Sequence, residues 1–395
     1  MRRIIPAVAK RSSGIRAQKA LLEDRSLLKR SGKPVVWVHC ASLGEYEGAL
    51  PVLETIRQHI PNAAIEVSFF SPSGYERVQP HTNWHRTWYL PWDDYHSMRH
   101  FIDHIHPDIV LWAEYDWWWH AIELIHQRHV PLIPFNVVLR PGKYPLNAIG
   151  RAWLPLLAKA FAIAVRDRRS VRAAMEYGLD RAQLIGYTRI DRVRQIARQE
   201  IAFPPFVHDF IRDHRLLVAG STWHKDEQLL AQLVQSDAFR QWKLLIAPHD
   251  VGASHMRYLD RLFPSACYWT RPNNAAQARV LIVDKIGWLN KLYRLADMAY
   301  VGGGFRGKIH SALEPAAYEI PLLWGPSYAN SPEAQEFLQL GAAQAISNAN
   351  ALLQAFEYFA QRTAHNRARA ALQEYFEKYK HPSSKLLHLV QSALQ

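Results

Sequence analysis

Two carboxylates in the N-terminal half stand where a base could work. Glu45 closes the run Val35-Val36-Trp37-Val38-His39-Cys40-Ala41-Ser42-Leu43-Gly44-Glu45. An apolar strand gives way to small residues and a helix begins near Gly44, so Glu45 falls in its first turn. A carboxylate there could take the proton from a sugar hydroxyl. A simpler reading exists: a first-turn Glu steadies a helix through its macrodipole, by about 0.3–1 kcal/mol. Glu114 ends a second apolar run, Leu111-Trp112-Ala113-Glu114, with Asp116 two residues on. Two acids in one cleft can divide the work, one as base and one as orienter or stabiliser. Trp117, Trp118 and Trp119 follow, and fit core packing, sugar stacking or a membrane interface.

The C-terminal half offers groups suited to an anion. Val301-Gly302-Gly303-Gly304-Phe305 is glycine-rich and follows a strand, but it is not G-x-G-x-x-G, so alone it is a weak phosphate cradle. His310-Ser311-Ala312-Leu313-Glu314-Pro315 comes next, with Pro315 suited to a first helical turn. A helix start beside a glycine loop is an anion site; Ser311 could cap it and Glu314 could bind ribose hydroxyls. Ser221-Thr222 reads as another cap within reach of a phosphate, Pro248-His249 ends a strand, and Gly287-Trp288 opens a helix. A metal site is not expected: the twenty His are scattered, with no H-E-x-x-H or acidic triplet. There is no G-x-S-x-G elbow of a serine hydrolase either.

These groups need strands to hold them. Apolar runs at residues 35–38, 65–70, 108–111 and 132–135 alternate with helical patterns, including 44–59 and 120–129. The pattern restarts near residue 200 with strands at 216–219, 243–247, 280–283, 298–301 and 322–324, and helices at 225–234, 288–295 and 314–318. Such alternation predicts parallel sheets with crossover helices. Pro204-Pro205 breaks the chain between the halves. The expectation is two doubly wound α/β domains, 34–195 and 196–395, with the last helix free to return to the first domain. Ligands of such domains sit at the carboxyl ends of the strands.

The 395 residues are ordinary in composition, 49% hydrophobic and 21% charged, so each half can bury a core. Cys40 and Cys267 are the only cysteines and lie far apart, which suits a reducing compartment and no disulfide framework. Residues 1–33 hold ten Lys/Arg against Glu23 and Asp24, so +8 of the formal +13 sits there. That basic arm suits an anionic surface or is simply a solvated tail. No secretory signal is visible. The best apolar run, 153–165, contains Lys159 and is too short for a bilayer, so a soluble or peripheral protein is expected.

Taken in order, these segments resemble the 3-deoxy-D-manno-octulosonic acid (Kdo) transferase family across roughly residues 34–345. Residues 37–45 resemble its strand ending in Ala-Ser-x-Gly-Glu. Residues 114–118 resemble Glu-x-Glu-Leu-Trp, with Asp116 for the second Glu, and Asn136 and Arg140 resemble an Asn-x-Arg region. Gly186-Tyr187-Thr188-Arg189-Ile190-Asp191 resembles Gly-Asn-x-Lys-Phe-Asp. Gly220-Ser221-Thr222, Pro248-His249 and residues 302–326 resemble the nucleotide-side blocks. The resemblance implies a GT-B fold, two Rossmann-like domains facing a cleft. It implies CMP-Kdo as donor substrate with no cofactor, and a lipid A precursor as acceptor. Glu45 is implied as general base, with Glu114 and Arg189 as stabilisers. Around CMP it implies Pro248, His249, Ile286, Gly287, Trp288, Ser311, Ala312, Leu313 and Glu314; Ser221, Thr222 and Gly303 join them from the motif reading. It implies the cytoplasmic face of the Gram-negative inner membrane.

The chain departs from the pattern at Arg189 (many members have Lys), Ser311 (Asn is usual) and Trp288 (an acid is common). The hydrophobic N-terminal anchor of many members has no counterpart in the basic residues 1–33. Competing classes are another nucleotide-sugar transferase or epimerase, an NAD-dependent oxidoreductase, and a non-enzymatic membrane or nucleic-acid binding module. The second lacks a dinucleotide fingerprint after its first strand, and nothing resembles a nucleic-acid motif, so nucleic acid is not expected as a partner.

Overall fold

The computed structural model describes residues 4–23, 32–78, 86–114 and 116–395. The chain forms two compact units, residues 1–192 with 379–395, and residues 193–378. The helix Arg189–Arg198 carries the chain from the first to the second.

The first unit is built on a five-stranded parallel sheet: β1 (Val35–Cys40), β2 (Ala64–Phe69), β3 (Arg86–Tyr89), β4 (Ile109–Ala113) and β5 (Leu132–Phe135), in the order β3-β2-β1-β4-β5. A two-stranded parallel pair, β6 (Ile163–Val165) with β7 (Ala182–Leu184), lies beyond it. β1, β2 and β4 are buried along their whole length, as expected of strands covered by helices on both faces, and the burial takes in His39, Glu66 and Ser68. One face carries a cluster around Trp37, Trp112 and Phe101. The other packs α2 (Leu43–His59) and the C-terminal helix Pro382–Ala393, through Leu53, Ile56, Leu386 and Val390.

The second unit has a seven-stranded parallel sheet: β8 (Arg215–Thr222), β9 (Trp242–Pro248), β10 (Cys267–Tyr268), β11 (Val280–Ile282), β12 (Met298–Val301), β13 (Leu322–Trp324) and β14 (Ala343–Ala345). Its order is β10-β11-β9-β8-β12-β13-β14. β3, β6, β7, β10 and β14 are not predicted from sequence; β6, β7, β10 and β14 have three residues or fewer, and β3 is the edge strand beside undescribed residues.

The basic residues 1–33 contain a docked helix, α1 (Ile4–Glu23). Gln18 spans the backbone of edge strand β3, donating to the Tyr89 carbonyl (2.7 Å) and accepting from its N–H (2.9 Å). Arg11 is 2% exposed. It donates to the carbonyls of Leu90 (2.7 Å) and Pro91 (3.2 Å), between the rings of Phe70 and Trp92 at 4.0 and 3.8 Å. Burial pulls its pKa down to about 10. Arg11 is therefore withdrawn from any exposed basic surface. Arg2, Arg3, Arg25, Lys29 and Arg30 lie outside the described residues. No helix among the described residues is long and apolar enough to cross a membrane.

Candidate active site

In an open parallel sheet the crevice opens where strand order reverses, at the carboxyl ends of two strands whose connections leave in opposite directions. In the first unit that point lies between β1 and β4. The segment after β1 carries Glu45 and the segment after β4 carries Glu114. In the second unit it lies between β8 and β12. Ser221 belongs to the end of β8, and Gly302-Gly303-Gly304 follows β12.

Glu45 sits in the first turn of α2. Ser42 is the N-cap, and its hydroxyl accepts from the Glu45 N–H (3.4 Å). The Glu45 carboxylate bends back, accepting from the Ala41 N–H at 2.5 Å and the Ser42 hydroxyl at 3.3 Å. These bonds fix the side chain over the end of β1 rather than along the helix surface. Burial, then the neighbouring charges of Glu114 and Asp116, push its carboxyl up to about 8. The Ala41 and Ser42 bonds oppose the shift but do not cancel it. A macrodipole-stabilising Glu would show the reverse. The same two carboxylates, Glu45 and Glu114, help raise the buried Cys40 thiol, after burial itself.

Glu114 is held in left-handed backbone at φ 57, its N–H bonded to the Phe135 carbonyl at 2.9 Å. A non-glycine residue there is uncommon and costs of order 1–3 kcal/mol, a strain that collects at functional positions. Asp116 accepts from the Trp118 indole (3.0 Å), and its carbonyl accepts from the Trp112 indole (2.7 Å). The buried His39 ring faces it, Nε2 at 3.9 Å. Ser68 Oγ receives the Trp37 indole N–H (2.8 Å) and lies 2.9 Å from His39 Nδ1. Burial lowers the His39 pKa and so favours the neutral ring, against the opposing pull of Asp116. The three tryptophans have three fates: Trp117 is buried, Trp118 stacks on Phe70 at 5.0 Å, and Trp119 is partly exposed against Trp153.

Arg189 opens the helix that leaves the first unit. The residue before it is tied down. Thr188 is fully buried; its hydroxyl donates to the Gly48 carbonyl of α2 and receives the Asn136 amide at 2.9 Å, while its N–H reaches Asn136 Oδ1 at 3.0 Å. Asn136 thus joins the end of β5, the Arg189 turn and α2, one turn beyond Glu45. Arg140 is engaged elsewhere, in a two-pronged ion pair with Asp167 (3.1 and 2.8 Å).

In the second unit β8 bulges at Ser221, whose φ is 54. Gly302 lies against this bulge: a Cβ there would stand 2.3 Å from the Ser221 carbonyl oxygen, so only glycine allows the approach. Asp226 organises the loop, accepting from the N–H of Gly303 (3.1 Å) and Trp223 (2.9 Å) and from the Tyr300 hydroxyl (2.8 Å). Thr222 is fully buried and its hydroxyl is given to Glu227 at 3.0 Å, so this side chain does not face the crevice. Pro248 ends β9, and His249 stacks between the rings of Trp223 (4.4 Å) and His310 (4.7 Å). Arg306 lies 3.7 Å over Trp223. Burial, then the charges of His249 and Lys308, push His310 down to about 4. Trp223, Arg306 and the stacking role of His310 are not visible in sequence, because residues from three separate loops meet.

The block after the glycines differs from expectation. Instead of a helix over 314–318 capped by Ser311, there is one turn, Leu313–Ala316, whose cap position is Ala312 with no side-chain bond. Glu319, at φ 59, turns the chain ahead of Pro321 and ends it. Ala312 and Leu313 are buried, leaving Ser311 and Glu314 as the partly exposed pair. Ile286 is 75% exposed, Gly287 has φ 95, and Trp288 leans on Trp269 at 4.6 Å. A cavity of about 1060 Å³ opens at the amino-terminal end of β1 beside Pro34 and Asp108. That is the wrong end of a parallel sheet for its ligand.

Residues 15–192 match the family described as 3-deoxy-D-manno-octulosonic-acid transferase (kdotransferase). This chain is a relative of the Kdo transferases. The 3-deoxy-D-manno-octulosonic acid transferase of Chlamydophila psittaci is 27% identical over 345 residues, covering 80% of this chain and 75% of that protein. That of Haemophilus influenzae is 24% identical over 348 residues, 82% and 77% of the two. The kinship makes the protein a glycosyltransferase. Among solved structures, a putative UDP-N-acetylglucosamine 2-epimerase from Listeria monocytogenes superposes with TM-score 0.66 at 13% identity, over 91% of this chain and 96% of that one. The UDP-GlcNAc 2-epimerase of Neisseria meningitidis gives 0.64 at 12%, over 91% and 100%. At such identities the likeness is one of fold: this Kdo transferase relative has the GT-B type of α/β architecture.

Proposed function

We propose that this protein transfers Kdo from CMP-Kdo to a lipid A precursor, with inversion, in the building of the lipopolysaccharide core. The observation that carries the reading is Glu45, a carboxyl pinned at the β1 end of the switch point with its pKa pushed up to about 8. A base in this range is matched to proton removal near neutral pH. Glu45 takes the proton as the acceptor hydroxyl attacks the anomeric carbon. The new C–O bond forms as the bond to the phosphate oxygen breaks, and CMP leaves with that electron pair. Arg189 stabilises the departing phosphate, and Glu114 holds Glu45 poised and stabilises positive charge on the sugar.

On the donor side we assign CMP to the β8–β12 crevice. The β8 bulge at Ser221 and the glycine loop through Gly303 border the phosphate, and Pro248 and His249 border the base. Ile286, Gly287, Trp288, Ser311, Ala312, Leu313 and Glu314 complete the surround, with Glu314 on the ribose. The Trp223–His249–His310 stack, with both faces of His249 already covered, supports a base bordered by ring edges. No cofactor enters this scheme. The acceptor places the protein peripherally at the cytoplasmic face of the Gram-negative inner membrane, an anionic surface.

Incubation with freshly made CMP-Kdo and a tetraacylated lipid A precursor, followed by mass analysis, tests the reading. Products heavier by one or more Kdo units are expected. Absence of any Kdo-bearing product, with CMP-Kdo intact, refutes it.

A further inference from the structure

Behind the loop after β8 lies a cluster that the transfer reaction does not use. His224 and Glu227 stand one turn apart at the start of the helix His224–Gln235, and His255 comes from the helix Ala253–Leu262. One ligand atom from each lies within 4.8 Å of the other two. Glu227 and His255 are buried, at 0% and 3% exposure, while His224 is exposed. Glu227 Oε1 is fully used, receiving the Thr222 hydroxyl at 3.0 Å and facing His255 Nε2 at 2.9 Å. Glu227 Oε2 is buried and has no hydrogen-bond partner. A bare buried carboxylate oxygen is a costly thing to keep unless something binds it. The His224 ring already meets His255 edge-on at 4.7 Å between centroids.

We propose that His224, Glu227 and His255 form a binding site for a zinc-class divalent cation. Two imidazoles and one carboxylate are a borderline donor set that suits zinc, and three protein ligands leave a fourth position for water. Ligand atoms on a tetrahedral zinc stand roughly 3.4 Å apart, from metal–ligand bonds of about 2.0–2.1 Å. The present spacing therefore needs a small closure, which the exposed His224 can supply by changing rotamer. Thr222, bonded to Glu227, acts as the outer hydrogen-bond partner that orients the carboxylate. The ion pins the first turn of one helix to its neighbour, directly beneath the β8 bulge. The role is structural, and no step of the transfer passes through the ion. Sequence inspection for H-E-x-x-H misses this set because its third ligand comes from another helix, 28 residues on from Glu227.

The test uses the full chain after chelation and desalting. Titration with Co²⁺ is expected to give visible absorption bands of tetrahedral intensity that saturate at one ion per chain, and Zn²⁺ is expected to displace them. His224→Ala changes an exposed residue and so preserves the fold; it should weaken Co²⁺ binding at least about tenfold. His255→Ala should do the same wherever its circular dichroism matches the parent. Absence of saturable one-to-one binding overturns the proposal. So does unchanged affinity in His224→Ala, which would put the ion elsewhere among the histidines. The readout is metal binding itself, so it stands whether or not the protein proves to use CMP-Kdo.

Discussion

Glu45→Gln separates a working base from a merely capping one. Gln keeps the shape and one oxygen to accept the Ala41 N–H, so the helix start survives. In the parent, a carboxyl at about 8 is ionised in only about one molecule in ten at pH 7. The transfer rate should therefore climb roughly tenfold from pH 7 to a plateau above pH 8.5, with a slope near one below pH 8. Glu45→Gln should lie at least ~100-fold below that plateau and lose the slope. Folding gives a second readout that needs no substrate. A carboxyl raised from 4.5 to about 8 holds its proton more tightly in the folded chain than in the unfolded one. Its presence thus costs nothing below about pH 4, and folded stability falls as pH rises until the folded pKa is passed. The ceiling on that loss is about 5 kcal/mol, at about 1.4 kcal/mol per unit. In denaturant titrations Glu45→Gln should match the parent near pH 4 and exceed it at pH 9. A variant within about tenfold of parent activity refutes the base. A stability difference that is the same at pH 4 and pH 9 refutes the raised pKa.

Three further perturbations follow from the same geometry. Glu114→Gln removes the largest charge acting on Glu45, so the acid limb of the pH–rate profile should move down, raising the pH 6.5 rate relative to the plateau by roughly threefold or more. Gly302→Ala places a Cβ 2.3 Å from the Ser221 carbonyl and 2.7 Å from the Thr222 Cα. Both neighbours are backbone, so a loss of ~1–3 kcal/mol is expected in urea unfolding. Trp223→Ala removes the ring that His249 and Arg306 stack upon, and calorimetric titration should show CMP binding weakened by roughly 2–12-fold.

The sheets were largely legible in sequence. β5, β12 and β13 fall on their predicted residues, and β1, β2 and β4 within two, since buried parallel strands read as largely apolar runs, interrupted here by the buried His39, Glu66 and Ser68. Strand ends were legible for the same reason, which is why Glu45 and Glu114 could be singled out at all. What stayed hidden depends on partners distant in the chain. Arg11 reads as surface charge, yet two aromatic rings and two carbonyls bury it. Thr222 reads as a cap, yet its hydroxyl turns inward to Glu227. The break at Pro204-Pro205 is real as a helix boundary, but the units divide at residue 192, inside the helix Arg189–Arg198, because contacts rather than prolines define a compact unit. The raised pKa of Glu45 needs two strand ends side by side, those of β1 and β4, and no local pattern records that.

The C-terminal helix Pro382–Ala393 has a consequence for synthesis. It belongs to the first unit and supplies Leu386, Leu387 and Val390 to the core that α2 shares. The first unit therefore cannot complete its hydrophobic layer when residue 192 leaves the ribosome. It must wait for some two hundred more residues, about 10–40 s at ~5–20 residues per second. During that interval the apolar face of α2 is open to water, while the second unit, contiguous in the chain, has its last strand once Ala345 is made. The later-made unit is thus free to finish first, and the earlier one is the natural client for a chaperone.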